Sequence, residues 1–109
     1  MNKTKISLIG FGYWGPNVAK NIYKNNNMVL HSICENQESR LKIAKSIYIE
    51  QTSYELDYKK ILSDPEIDAV AIVVETSGHF KLAKEALLSG KHVYIEKPFT
   101  ETVAEAEEL

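Results

Sequence analysis

The stretch ISLIGFGYWG, residues 6–15, decides how the remaining sequence is read. Ile6, Leu8 and Ile9 form an apolar run of strand length, glycines follow at 10, 12 and 15, and Pro16 stands directly behind them. A G-x-G-x-x-G pattern between a strand and a helix start gives each glycine its own task. Gly10 turns the chain sharply, Gly12 lets a pyrophosphate approach the backbone, and Gly15 lets helix and strand pack closely. Phosphate would rest on the helix N-terminus, where unpaired N–H groups and the helix dipole favour negative charge. Pro16 suits a first helical turn, because the N–H that it lacks has no intrahelical partner there. Any tight strand-to-helix turn favours glycine, so the pattern takes its meaning from what surrounds it.

Outward from the loop, Val18, Ala19, Ile22 and Tyr23 recur at helical spacing, and Asn25, Asn26 and Asn27 end that helix. Met28 to Cys34 (MVLHSIC) is a second strand that ends at Glu35. This acid stands close to where a dinucleotide fold places the carboxylate that accepts hydrogen bonds from the adenosine ribose. It reads equally as a solvated loop charge or a helix N-terminal acid. Glu38 to Ser46 is a helix with Leu41 and Ala44 inward and Arg40, Lys42 and Lys45 on a solvated face. A brief strand is expected over Ile47 to Gln51, then a short helix from Tyr58 to Ser63 capped by Asp57 and broken by Asp64-Pro65.

Ala69 to Val74 (AVAIVV) is continuously apolar, the signature of a parallel strand covered on both faces. Thr76, Ser77 and Gly78 read as a turn. From His79 the residues Leu82, Ala83, Ala86 and Leu87 form an inward helical stripe closed by Gly90. His92 to Ile95 is a last strand running into Glu96-Lys97-Pro98, and Thr102 with Glu105 resembles a capping box for a final helix.

Strands and helices alternate throughout, which predicts one α/β domain over residues 1–109: a three-layer, doubly wound parallel sheet of order 3-2-1-4-5. Ligands bind such sheets at the carboxyl edge where the order reverses, and the loops 10–15, 75–79 and 96–98 would meet there. The net charge of -2 offers no basic surplus for nucleic acid, and no apolar stretch of membrane-spanning length occurs. The N-terminus does not resemble a signal peptide, and the single Cys34 cannot form an internal disulfide, so a cytoplasmic location is expected. No residues are assigned to a metal.

The segments GFGYWGPN (10–17), DPEIDAVAIVV (64–74), HFKLAKEALLSGKHVYIEKPF (79–99) and EAEEL (105–109) together resemble the N-terminal domain of the Gfo/Idh/MocA oxidoreductases. The resemblance implies an NAD(P)-binding Rossmann fold in an enzyme that moves hydride between a nicotinamide cofactor and a hydroxyl-bearing carbon of a sugar, nucleotide sugar or cyclitol. It places Gly10, Phe11, Gly12, Tyr13, Trp14 and Gly15 at the pyrophosphate and Glu35 at the adenosine ribose. Thr76 and His79 fall on the nicotinamide side, and Glu96, Lys97 and Pro98 at the nicotinamide ribose and substrate end. Tyr13 and Trp14 could equally cover the helix start, and His79 could be a polar residue near a helix N-terminus. Lys97 is the catalytic residue on this resemblance. An ammonium at the crevice floor can hydrogen-bond the hydroxyl being oxidised, and desolvation or positive neighbours ease proton release from such a group. The plain alternative is an exposed lysine paired with Glu96.

Glu35 would repel a 2′-phosphate, so NAD is the expected cofactor and NADP the less expected one, with Arg40 near enough in sequence to argue the other way. Two departures from the family stand out. Val74 and Glu75 occupy the places of its usual Thr-Pro pair, which puts a carboxylate near the cofactor phosphates. The second departure is length, since family enzymes carry a second, mostly antiparallel domain that 109 residues cannot supply. The chain is therefore expected to bind cofactor without turning over a substrate, and to self-associate as a homo-oligomer through the face of Trp14, Phe99, Val103, Ala106 and Leu109. The rival reading is a stand-alone dinucleotide-binding, redox-sensing module. A methyltransferase-type domain is disfavoured, because no acid precedes Gly10.

Overall fold

A parallel sheet must be covered on both faces, and alternate residues of these strands supply the two apolar surfaces. The computed structural model describes residues 3–48 and 52–109. Its strands are β1 (Thr4–Ile9), β2 (Met28–Cys34), β3 (Ser53–Glu55), β4 (Ala69–Ile72) and β5 (His92–Ile95). All pair in parallel, in the order β3-β2-β1-β4-β5 expected from the sequence. The helices are α1 (Gly15–Lys24), α2 (Glu38–Ile47), α3 (Tyr58–Ser63), α4 (Thr76–Leu88) and α5 (Val103–Glu108).

On one face Leu8, Ile33, Ala71 and Val73 meet Ala19 and Ile22 of α1 and Leu41 and Ala44 of α2. On the other, Ile9, Cys34, Val70 and Ile72 meet Ile61 and Leu62 of α3 and Leu82, Ala83 and Ala86 of α4. The unbroken apolar run of β4 reflects this arrangement, since its odd and even residues serve different helical layers. Between β1 and β2 the buried hydroxyls of Ser7 and Ser32 hydrogen-bond each other, so neither polar group is orphaned.

Helix ends obey the local chemistry. Asp57 accepts the Lys59 N–H at the start of α3, and Thr102 accepts the Glu105 N–H at the start of α5. Gly90 adopts a φ of 82° after α4, and the bonds Lys91 N–H to Ala86 O and Gly90 N–H to Leu87 O complete a Schellman stop.

Three boundaries depart from the sequence reading. The strand expected over Ile47 to Gln51 begins on a helical residue: α2 runs to Ile47, and the Tyr48 N–H still bonds the Ala44 carbonyl. Residues 49–51 lie outside the described residues, and the edge strand is Ser53–Glu55, paired with Ser32–Cys34. The apolar, β-tolerant run IYI misleads because the Tyr48 ring buries itself at the helix end, where its carbonyl accepts the Tyr54 hydroxyl. Thr76, Ser77 and Gly78 are not a turn before α4 but its first turn, closed by Gly78 N–H to Glu75 O. β4 ends at Ile72 rather than Val74.

Candidate functional site

The reversal of strand order between β1 and β4 opens a crevice of about 1050 Å³ at the carboxyl edge of the sheet. Residues beyond the carboxyl ends of all five strands line it, including Gly12 after β1, Glu35 after β2, Leu56 after β3, Glu75 after β4 and Lys97 after β5.

The glycine loop is shaped by two close approaches. Gly10 has a φ of 105°, and a side chain there would overlap the Val73 carbonyl of the neighbouring segment. Gly15 begins α1 directly under the loop, where a Cβ would come within 2.5 Å of the Gly10 oxygen. Gly12 is different. Its open side meets only the end of a flexible side chain, Arg40, whose Nη1 stands 3.2 Å from where a Cβ would be. Among the described residues, the amides of Gly12, Tyr13, Trp14 and Gly15 donate to no protein acceptor. Free N–H groups at a helix N-terminus form a cradle for an anion. Pro16 stands in the first turn of α1, as its missing N–H allows.

Glu35 is only 5% exposed, and its carboxylate is bound on both oxygens by backbone. Oε1 accepts the Phe11 N–H at 2.9 Å and Oε2 accepts the Gln37 N–H at 2.8 Å. The side chain thus ties the glycine loop to the turn before α2, which rules out the reading of a solvated loop charge. Ionised carboxylates have about four acceptor positions, so two remain for a ligand hydroxyl. Arg40 Nη1 lies 4.0 Å from Glu35 Oε1, and its half-exposed guanidinium is a positive group in the crevice. Beneath Glu35 the Cys34 thiol is pushed up to about 12, first by burial and then by the charges of Glu55, Glu35 and Asp57. It is a packed thiol rather than a nucleophile.

At the other end of the crevice Glu96 is fixed by Glu96 N–H to Ile72 O, and its carboxylate accepts the Tyr94 hydroxyl at 3.1 Å. Lys97 is exposed and lines the crevice, and among the described residues no carboxylate pairs with its ammonium. The Lys97–Pro98 bond is cis. Glu75 is exposed at the N-cap of α4 and makes no side-chain cap, so its carboxylate stands in solvent at the crevice rim.

Of the residues singled out from sequence, Gly10, Gly12, Tyr13, Trp14, Glu35, Glu96 and Lys97 line this crevice together. Tyr13 is 95% exposed and Trp14 about half exposed, so neither is committed to the core. Five others stand behind the lining. Phe11 is buried in the α1/α2 layer and offers its N–H to Glu35. Gly15 is buried beneath the loop, and Thr76 opens α4. His79 is 1% exposed, with Nε2 2.9 Å from the Val74 carbonyl and Nδ1 2.8 Å from the Pro98 carbonyl. Pro98 therefore meets His79 rather than the crevice.

Sequence reasoning passes over Ser77, Gly78, Lys81 and Tyr58, and places Arg40 on a solvated face. The signal is topological. The first turn of any helix that succeeds a strand of this sheet starts at the carboxyl edge, so α2, α3 and α4 each present early residues to the crevice. Among the described residues no helix is long and apolar enough to cross a membrane, and no group of His, Cys, Asp and Glu could hold a metal ion.

Comparison with known proteins agrees with this geometry. Residues 4–109 match the family model described as GFO_IDH_MocA, oxidoreductase family, NAD-binding Rossmann fold. The uncharacterized oxidoreductase YrbE of Bacillus subtilis is 36% identical over 93% of this chain and 29% of its own length. Myo-inositol 2-dehydrogenase of Thermotoga maritima is 29% identical over 96% of this chain and 31% of its own. The solved structure of scyllo-inositol dehydrogenase from Lactobacillus casei, with bound NAD(H) and scyllo-inositol, superposes with a TM-score of 0.87 at 29% identity. It covers 98% of this chain and 32% of that one. The chain thus spans somewhat under a third of the length of these relatives.

Proposed function

The chain belongs to the Gfo/Idh/MocA oxidoreductase family, and on that premise we propose that its crevice holds the nicotinamide dinucleotide of a dehydrogenase acting on a sugar, nucleotide-sugar or cyclitol hydroxyl. The observation that carries this reading is the row of unpartnered amides from Gly12 to Gly15 at the start of α1, opening onto the crevice beside a glycine with no side chain in the way. Those amides would hold the pyrophosphate, and the spare acceptor positions of Glu35 would receive the adenosine ribose hydroxyls. The cofactor, when bound, supplies the site that gains or loses hydride. Lys97, free of any carboxylate partner among the described residues, is the group of this chain suited to hold or move the hydroxyl proton at Nζ. Inositol-directed relatives support a polyol substrate.

NAD(H) is the cofactor we favour. Glu35 presents negative charge where a 2′-phosphate would stand, and Arg40 at 4.0 Å offsets it only in part, being half exposed. Titration of the chain with NADH and NADPH at one salt concentration tests both levels. NADH should bind more tightly. Equal or tighter NADPH binding overturns the cofactor choice, and binding of neither overturns the functional reading.

A further inference from the structure

The segment that carries Lys97 is attached to the domain by very little. β5 is an edge strand, and its last sheet bond is Glu96 N–H to Ile72 O. Beyond that point residues 97–109 make mostly local hydrogen bonds: Lys97 N–H to Glu96, Thr100 to Thr102, and Glu101 and Thr102 to Glu105. The far end is held by the Lys84–Glu108 ion pair at 2.6 Å and by Leu109 against the α3/α4 layer. Among the described residues, the hydrogen bonds that join the near end to another element all come from one side chain, His79.

Its imidazole lies buried between two stretches of chain. Nε2 faces the Val74 carbonyl just past β4, and Nδ1 faces the Pro98 carbonyl at 2.8 Å and the Phe99 carbonyl at 3.3 Å. Carbonyl oxygens only accept, so each bond requires a hydrogen on the nitrogen that makes it. Unmade, these contacts would leave buried polar atoms without partners, which makes them costly to lose. We propose that His79 is a positioning residue: it fastens the Lys97–Pro98 segment to the end of β4 and thereby sets where Lys97 enters the crevice. This rests on the reading of the crevice as a dinucleotide site, and it assigns His79 to holding the catalytic segment rather than to touching cofactor.

The geometry separates the two ends of the ligand. His79 lies at the β4–β5 side, while Glu35 and the glycine loop depend on β1 and β2. NADH reaches both ends, whereas ADP-ribose lacks the nicotinamide. In calorimetric titrations, His79→Leu is expected to weaken NADH by about two- to tenfold, the scale of re-ordering one or two loosened groups on binding. ADP-ribose affinity should stay within about twofold, the adenosine end being unchanged. His79→Gln, which retains a donor, should recover part of the loss. In amide NMR spectra of the free chain, the heteronuclear NOE of Lys97 and Phe99 should fall in the leucine variant while those of α1 hold. A folded His79→Leu variant with unchanged NOE values at Lys97 and Phe99 overturns the proposal, as does equal weakening of NADH and ADP-ribose. If the wild-type chain binds neither ligand, the dinucleotide reading fails, and the NOE comparison still decides whether His79 holds the segment.

Discussion

The two ends of the crevice are built in different ways. At the β1/β2 end, every segment is tied to its neighbour through backbone groups: Gly10 N–H to Cys34 O, Glu35 N–H to Glu55 O, and the Glu35 carboxylate to the amides of Phe11 and Gln37. At the β5 end, Lys97 is exposed, its segment leaves the sheet at Glu96, and a buried imidazole holds Pro98 and Phe99. The first end is central in the sheet and fixed before any ligand arrives. The second is at the sheet edge and fixed by side chains alone. Such a division suits a site in which the phosphate and ribose are always the same and the reacting partner varies, since shared ligand parts reward preorganisation.

The largest effects should come from the fixed end, and its glycines should fail in different ways. Gly10→Val forces a β-branched residue to a φ of 105° and drives its side chain into the Val73 carbonyl, so the variant should lose more than about 3 kcal/mol and fail to fold stably. Gly12→Val meets only the movable end of Arg40, so it should melt close to wild type yet lose NADH binding, because the new side chain occupies the approach to the free amides. Wild-type NADH affinity in folded Gly12→Val would remove the glycine loop from the site.

Next in size is Glu35→Ala. It strips two backbone amides of a charged acceptor in a buried position, which should cost about 2–4 kcal/mol in urea denaturation. At the other end, Glu96→Ala removes an exposed bond to Tyr94 and should stay within about 0.5 kcal/mol of wild type. Similar losses for the two glutamates would erase the contrast between the ends.

Cys34 offers a pH probe of the fixed end alone. Its thiol is raised from an ordinary 9.0 to about 12, so the folded chain keeps the proton after the unfolded chain has released it. The raised folded value means that the contribution to stability is whole below pH 9 and is lost as pH climbs toward 12. Comparing wild type with Cys34→Ala across that window should show the wild type losing more stability with rising pH, whatever offset the substitution adds. Parallel curves would mean that the thiol is not buried under acidic neighbours as described.

Much of this contrast is legible in the sequence, and the reason differs from part to part. Sheet order and the glycine loop can be read because alternation, apolar runs and glycine spacing are local patterns that parallel topology converts into position. Glu35 is found by its place after the second strand, but its burial and double backbone bond are not, since those depend on where Phe11 and Gln37 come to lie. For His79 the sequence shows only a histidine near the start of α4. The carbonyls it meets belong to residues 74, 98 and 99, brought together only by the β4–β5 pairing. The edge strand lies beyond Ile47–Gln51 for a similar reason, because Tyr48 is buried by a helix end rather than by a sheet.

The smallest effect concerns the residue with the most chemical promise. Lys97→Ala should change the NADH affinity of this chain by less than about threefold, within the range of an exposed charge that has no fixed partner. Its ammonium pairs with no carboxylate among the described residues, and its backbone is placed by Glu96 on one side and by His79 through Pro98 on the other. Removing the side chain therefore leaves the segment where it was. A group that moves a proton in the reaction acts on the transition state and adds little to cofactor binding beforehand. In a protein that also carries the substrate-binding part, the same substitution should lower turnover by about 10²- to 10⁴-fold, the usual scale for a general acid–base group. A large loss of NADH affinity in the 109-residue chain would make Lys97 a cofactor anchor, and full turnover in the longer protein would remove it from the chemistry altogether.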